Sequence, residues 1–183
     1  MKKISILLIA VVCFCTNSQA QIYMAKNCEI SFFSPTPIEN ITAVNKNTKP
    51  LLNTATGDLQ MKIAMTAFVF EKPLMQEHFN ENYVESEKYP YTIFKGKINE
   101  KIDYSEDGKY KVSATGKMTM HGVEKDKTIS GILTVDMNKI SLSSTFKLDF
   151  TEFGVVIPSL YSGVIPSETE VKLTALLEPY KKN

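Results

Sequence analysis

Apolar side chains return at every second position in run after run along most of this chain. Leu59, Met61, Ile63 and Met65 form one run; Tyr110, Val112, Ala114, Gly116, Met118 and Met120 a second; Ile129, Gly131, Leu133 and Val135 a third. Ile140, Leu142, Ser144, Phe146, Leu148 and Phe150 make the longest such face, and Val171, Leu173, Ala175 and Leu177 the last. Period two is the period of a strand, and the intervening Lys, Thr, Ser, Asp and Glu leave one face of each strand in water. Ser105-Glu106-Asp107-Gly108 and the Asn138-containing turn between 136 and 139 join runs as hairpins, so neighbours in sequence are neighbours in the sheet. An open meander would expose two strand edges, and closure removes both. The expected fold is all-β, a single antiparallel barrel of about eight strands.

Two segments depart from the alternation. Residues 42–56 carry Asn45, Asn47, Pro50 and Asn53 and read as a long polar connection around a weak strand at 41–44. Pro73 suits a first helical turn, and Leu74, Met75, His78, Phe79 and Tyr83 then recur at helical intervals. This spacing predicts one short helix over 73–86. With no second helix to pack on, its apolar side has to cover an end or a face of the barrel.

The N-terminus reads as an address. Lys2 and Lys3 precede an apolar run at 4–14, too short for a membrane span, and Ser18-Gln19-Ala20 supplies the small residues of a cleavage site. Residues 1–20 are thus expected to be a signal peptide and 21–183 an exported, periplasmic barrel domain. Val12 and Phe14 precede Cys13 and Cys15, which argues against a lipidated cysteine. Beyond the signal only Cys28 remains, so no internal disulfide can form and the core alone must hold the fold. Cys28 alternates with Ile30 and Phe32 and reads as a small buried hydrophobe.

Charge narrows the function classes. All 21 basic residues are lysines, with no arginine and no tryptophan, and they are dispersed among 20 acidic residues. Nucleic-acid binding, which favours a basic face and the arginine fork, is not expected. A membrane-embedded barrel is disfavoured as well, because Lys62, Lys97, Lys109, Lys111, Lys117 and Lys147 would each cost roughly 2 to 4 kcal/mol on a lipid-facing wall.

A small barrel is normally plugged by its own side chains. Here the inward positions of four successive strands include Gly96, Ala114 with Gly116, Gly131, and Ser144, interleaved with Phe94, Met118, Phe146 and Phe150. Aligned, the short residues would leave a lengthwise apolar slot walled by aromatics and adaptable methionines. Ten methylenes buried there contribute roughly 8 kcal/mol before ordering costs, enough for reversible binding of a chain-like lipid. Leucine at Gly116 or Ala114 is then expected to block binding while sparing the fold. The alternative is that the glycines merely let a tightly closed sheet coil.

Catalytic chemistry finds little support. His78 and His121 are the only histidines, with no His-x-x-x-His or paired-cysteine spacing for a metal, and no Gly-x-Ser-x-Gly elbow is present. His78 reads as a packed or mouth-lining imidazole and His121-Gly122 as a turn with a secondary rim role. No enzyme activity, metal or cofactor is expected; a hydrolase centred on His78 is the weakest alternative.

Taken in order, Glu77-His78-Phe79, Glu87-Lys88-Tyr89-Pro90 with Phe94, Gly116-Lys117-Met118-Thr119 with His121-Gly122-Val123-Glu124-Lys125, and Glu152-Phe153-Gly154-Val155 resemble the YceI-like family of exported bacterial proteins over roughly residues 28–178. The resemblance implies a lipocalin-like barrel that encloses a polyisoprenoid, an isoprenoid quinone or a fatty-acid derivative, and implies no catalysis. Departures include Glu152 for the usual Asp, and Phe68 and Phe70 for smaller polar residues. Adding Met65, Met75, His78, Phe79 and Phe153 to the inward positions above completes the candidate ligand-binding set. The expected partner is a lipid-like small molecule, without stable membrane insertion; transient membrane contact and a homodimer are left open. An envelope interaction protein with a filled core is the competing reading.

Overall fold

A computed structural model describes residues 21–37, 39–157 and 164–180; the expected signal peptide lies outside the described residues. Ten strands form one antiparallel sheet: β1 (Ile22–Ser34), β2 (Ile41–Asn45), β3 (Leu51–Asn53), β4 (Asp58–Ala64), β5 (Phe68–Phe70), β6 (Tyr91–Ile98), β7 (Gly108–Met120), β8 (Val123–Asp136), β9 (Lys139–Asp149) and β10 (Glu168–Pro179). The sheet closes because β10 pairs with β1, from Tyr23 opposite Pro179 to Phe33 opposite Glu170. The barrel has eight staves, since two of them are built from broken strands. The lower part of β1 pairs with β3 and its upper part with β2. Likewise β4 lies against β3 and β6, whereas β5, beyond a 3-10 turn at Met65–Ala67, lies against β2.

The break in these staves corrects the reading of 42–56 as one polar connection. Asn45 is fully buried. Its Nδ2 donates to the Ala64 carbonyl at 2.9 Å, while its Oδ1 accepts from the Asn47 N–H at 2.9 Å and the Thr48 hydroxyl at 3.3 Å. With its amide satisfied, a polar residue can sit inside the wall, and the chain then returns to β3, where Leu52 is fully buried.

Two tight hairpins set the register of the other half. His121 and Gly122 (φ 50° and 76°) and Met137 and Asn138 (φ 43° and 66°) are both two-residue turns with positive φ at each central position. That geometry matches the twist of the strands it joins. Leu133, Ile140 and Leu177, with Leu52, are fully buried near the Met137 turn and seal this end of the barrel. The six lysines singled out above are all exposed on the outer wall.

At the opposite end, the mouth, Pro73 begins a helix, α1 (Pro73–His78), which continues as a π-helical turn, Phe79–Tyr83. The helical stretch therefore stops three residues short of the expected 86. Glu85 takes a left-handed conformation (φ 44°), and its carbonyl receives the N–H groups of Lys88 and Tyr89, which turns the chain into β6. Phe79 is buried, but Leu74 is mostly exposed, so the helical segment covers the mouth with a narrower apolar side than its spacing suggests.

One stretch of wall lacks a ladder. Pairing of β8 with β9 runs from Asp136 opposite Lys139 to Ile132 opposite Ser143 and stops. Above that point β8 stays with β7 and β9 with β10. The parted strands are tied by the Ser144 hydroxyl, which donates to the Ser130 carbonyl at 2.6 Å, and by an ion pair between Lys127 and Glu152. Glu152 sits on a 3-10 turn, Phe150–Phe153, that follows β9.

Candidate functional site

Inside the barrel is a cavity of about 120 Å³ whose wall is almost wholly aliphatic, aromatic or thioether. Leu59 and Met61 of β4, Phe94 and Ile98 of β6, Ala114 and Met118 of β7, Ile129 of β8, and Phe146 and Leu148 of β9 all face it, because each strand presents alternate residues inward. The cavity also reaches Ser130, Ile132 and Ser143, beside the point where β8 and β9 part.

Above it five phenylalanines form a partition. Ring centroids lie 5.4 Å apart for Phe32 and Phe68, 5.5 Å for Phe32 and Phe79, 5.0 Å for Phe70 and Phe79, and 6.2 Å for Phe32 and Phe150. Tilted and edge contacts at these distances are favourable, about 0.5–1.5 kcal/mol per pair beyond the area buried. Phe32, Phe79 and Phe150 line both the barrel cavity and a second one of about 410 Å³ at the mouth. Ile41, Leu74, Met75, Val84, Val155 and Ile165 supply the apolar wall of this second cavity, and Ser34, Glu39, Lys72, His78, Ser167 and Thr169 its polar groups. A cavity of about 150 Å³ accepts a benzene-sized guest. The inner cavity thus suits a short apolar group as it stands, and a long chain fits only if the Phe79 and Phe150 rings turn aside and join the two spaces.

Of the residues singled out from the sequence, Met65, Phe79, Phe94, Ala114, Met118, Gly131, Ser144, Phe146 and Phe150 line the inner cavity, and Met75 and His78 line the mouth. Gly96, Gly116 and Phe153 line neither. A Cβ on Gly96 would stand 2.6 Å from the Phe94 ring, and one on Gly116 would stand 2.2 Å from both the Gly96 Cα and the Lys95 carbonyl oxygen. These two glycines therefore bring β6 and β7 together and add nothing to the slot. Leucine at Gly116 cannot spare the fold, because it meets backbone that has nowhere to go.

Phe153 belongs instead to a clasp built from the motif residues. Its carbonyl lies 3.3 Å from His121 Nδ1, and His121 Nε2 lies 2.8 Å from Glu85 Oε2. The imidazole packs on Tyr89 with ring centroids 4.4 Å apart, and a Cβ on Gly122 would strike that tyrosine at 2.7 Å. The Lys127 ammonium lies over the Phe153 ring, and Asp149 caps the turn that carries it, accepting from the Thr151 N–H at 2.8 Å and hydroxyl at 2.6 Å. Those bonds hold the Asp149 carboxyl below the usual carboxylate range. Glu85, Tyr89, His121 and Phe153 thus join the helix exit, the β7–β8 hairpin and the turn after β9. Among the described residues no group of three or more His, Cys, Asp or Glu side chains is placed to hold a metal. Cys28 is buried in the wall, and burial pushes its thiol up to about 11.

The candidate set also lacked Leu59, Met61, Ile98, Ile129 and Leu148 of the inner wall, all on alternating runs, and four residues of the partition and the mouth. Phe32 and Ser34 extend the Cys28 and Ile30 alternation, which carried the signal for both, whereas Phe68 and Phe70 lie on a three-residue strand too short to show a period.

A family model described as the YceI-like domain matches residues 28–178. Among the solved structures that share the fold are the following three. A polyisoprenoid binding domain from Saccharophagus degradans is 15% identical with a TM-score of 0.71, covering 88% of this chain and 100% of that one. Burkholderia cenocepacia BcnA is 15% identical with a TM-score of 0.68, covering 81% and 95%. The Campylobacter jejuni YCEI protein is 20% identical with a TM-score of 0.60, covering 81% and 90%. No curated protein gives a significant match.

Proposed function

Because the chain belongs to the YceI-like family, we infer that it is an exported, non-enzymatic carrier which holds the tail of a long apolar or amphiphilic molecule inside its barrel. A polyisoprenoid, an isoprenoid quinone and a fatty-acid derivative all meet the requirement, and the periplasm is the compartment this reading assigns. The observation that carries it is the pairing of an apolar inner cavity with a wider, partly polar mouth across a partition of phenylalanine rings. Such a layout separates a tail site from a head site. The name of the Saccharophagus degradans relative, a polyisoprenoid binding domain, points the same way. Each methylene that leaves water contributes about 0.8 kcal/mol, so a tail threaded past Phe79 is held without any covalent step.

Purification without detergent, followed by organic extraction and mass spectrometry, tests the assignment. A hydrophobic molecule released in about equimolar amount is the expected result. An extract free of such molecules, together with no uptake of added polyprenyl chains or fatty amides, removes it. A filled-core interaction protein is favoured by one observation, the small volume of the inner cavity, about 120 Å³. That alternative gains if no guest is taken up.

A further inference from the structure

Ser34 closes the inward row of β1 after Ile30 and Phe32, and it is 3% exposed. Its Oγ has no hydrogen-bond partner. A buried hydroxyl left without a partner costs stability, on the order of 1–3 kcal/mol, and most buried polar side chains avoid that state. Ser34 lines the mouth cavity, two residues above Phe32 of the partition, which is about 7 Å along a strand. It therefore stands where the head of a molecule whose tail lies in the barrel would come to rest. Thr169, also 3% exposed, and His78 border the same space and offer further hydrogen-bonding groups.

The charges around this hydroxyl restrict what the head can be. Among the described residues the mouth cavity is lined by one lysine and one carboxylate, Lys72 and Glu39, and they face each other at 2.5 Å. The rim is thus neutral as built. A phosphate, which carries nearly two negative charges, would have to take Lys72 from Glu39 and leave that carboxylate beside it; no arginine exists anywhere in the chain to compensate. A neutral oxygen acceptor meets no such conflict and needs only a donor.

Resting on the carrier reading above, we propose that the mouth is a head-group site for an uncharged carbonyl or hydroxyl, in which Ser34 Oγ donates to the ligand oxygen. The barrel then selects quinone-, alcohol- or amide-headed chains over phosphorylated ones bearing the same tail. Ser34 is a binding residue whose hydroxyl makes no hydrogen bond within the protein and is free to bond the ligand.

The test uses delipidated full-length mature protein and three probes with one tail: a geranylgeranyl-tailed quinone, geranylgeraniol and geranylgeranyl phosphate, with the saturated hydrocarbon as a tail-only control, all by titration calorimetry at low salt. The quinone and the alcohol are expected to bind at least tenfold more tightly than the phosphate. Ser34→Ala is expected to weaken the neutral heads about three- to tenfold, the range of one hydrogen bond, and to leave the phosphate and the hydrocarbon unchanged. Its ligand-free melting temperature should equal or exceed that of the wild type, which separates a lost contact from a damaged fold. Phosphate binding as tight as that of the neutral heads, or unaltered quinone and alcohol affinities in Ser34→Ala, overturns the head-group assignment while leaving the carrier reading in place. If no probe binds, the carrier reading fails with it.

Discussion

Gly96 and Gly116 lie directly opposite each other on β6 and β7, so close that a Cβ on Gly116 would reach within 2.2 Å of the Gly96 Cα. Both contacts of that imagined atom are with main chain, which cannot swing away as a side-chain tip can. Gly116→Ala is accordingly expected to lower stability by about 2–3 kcal/mol, at the upper end of the usual cost of overfilling a packed site. Urea denaturation monitored by circular dichroism measures it, and a midpoint equal to that of the wild type would show that the strands can part.

Ala114 is the better place to fill the cavity, since it lines the cavity together with Met118 and Ile129. Ala114→Leu should weaken binding of a tail-only hydrocarbon at least tenfold and alter the melting temperature by only a few degrees, because the added carbons enter a cavity rather than neighbouring atoms. Retained affinity would place the tail elsewhere.

Phe79 is one of three partition rings shared by both cavities and is in contact with Phe32, Phe68 and Phe70. Phe79→Ala should destabilise the protein by about 3–5 kcal/mol, the ordinary result of deleting a buried ring, yet accelerate uptake of a hydrophobic guest. Stopped-flow mixing with a fluorescent fatty-acid analogue gives the rate. A slower or unchanged rate would mean that the guest enters by another path.

The clasp can be probed without disturbing its turn. Asparagine tolerates the left-handed conformation that His121 adopts, so His121→Asn removes the Glu85 contact and keeps the hairpin. A loss of about 1–2 kcal/mol is expected, together with faster hydrogen exchange at residues 85–89 and 151–154. Unchanged exchange at both segments would show that they are held independently.

Alkaline pH should act through Cys28. Its folded thiol titrates at about 11, raised by burial and then by the neighbouring Glu29, against 9.0 for the free group. Between these values the native state keeps a proton that the unfolded chain has released, so stability falls as pH rises through the window, by up to about 1.4 kcal/mol per unit from this one group. Cys28→Ala should flatten that part of the profile in urea titrations at pH 8, 9 and 10. Below pH 9 the native thiol stays neutral and shielded, and reaction with iodoacetamide should await unfolding.

The legible part of this molecule is where one strand has one inner face. The runs at 110–120, 129–135, 140–150 and 171–177 became β7 to β10 because their alternation is uninterrupted. Between Met65 and Phe68 the 3-10 turn changes the parity: both residues are buried although three positions apart, so a count by twos sends Phe68 to the wrong side. Asn45 misled for a different reason, since its polarity signals a loop until the Ala64 carbonyl that satisfies it is known. The glycines show the limit most plainly. Parity turned Gly96 and Gly116 inward, but whether they hollow the interior or press two strands together depends on register, which only the paired sheet reveals.

The unladdered stretch between β8 and β9 gives the barrel a hoop that is cut on one side. Elsewhere, widening the wall would break rows of main-chain hydrogen bonds together; here it strains the Ser144 tie to Ser130 and the exposed Lys127–Glu152 pair. The girth of the mouth half therefore rests on side-chain fastenings, these two and the His121 contact with the Phe153 carbonyl, which can loosen while the sealed end keeps its shape.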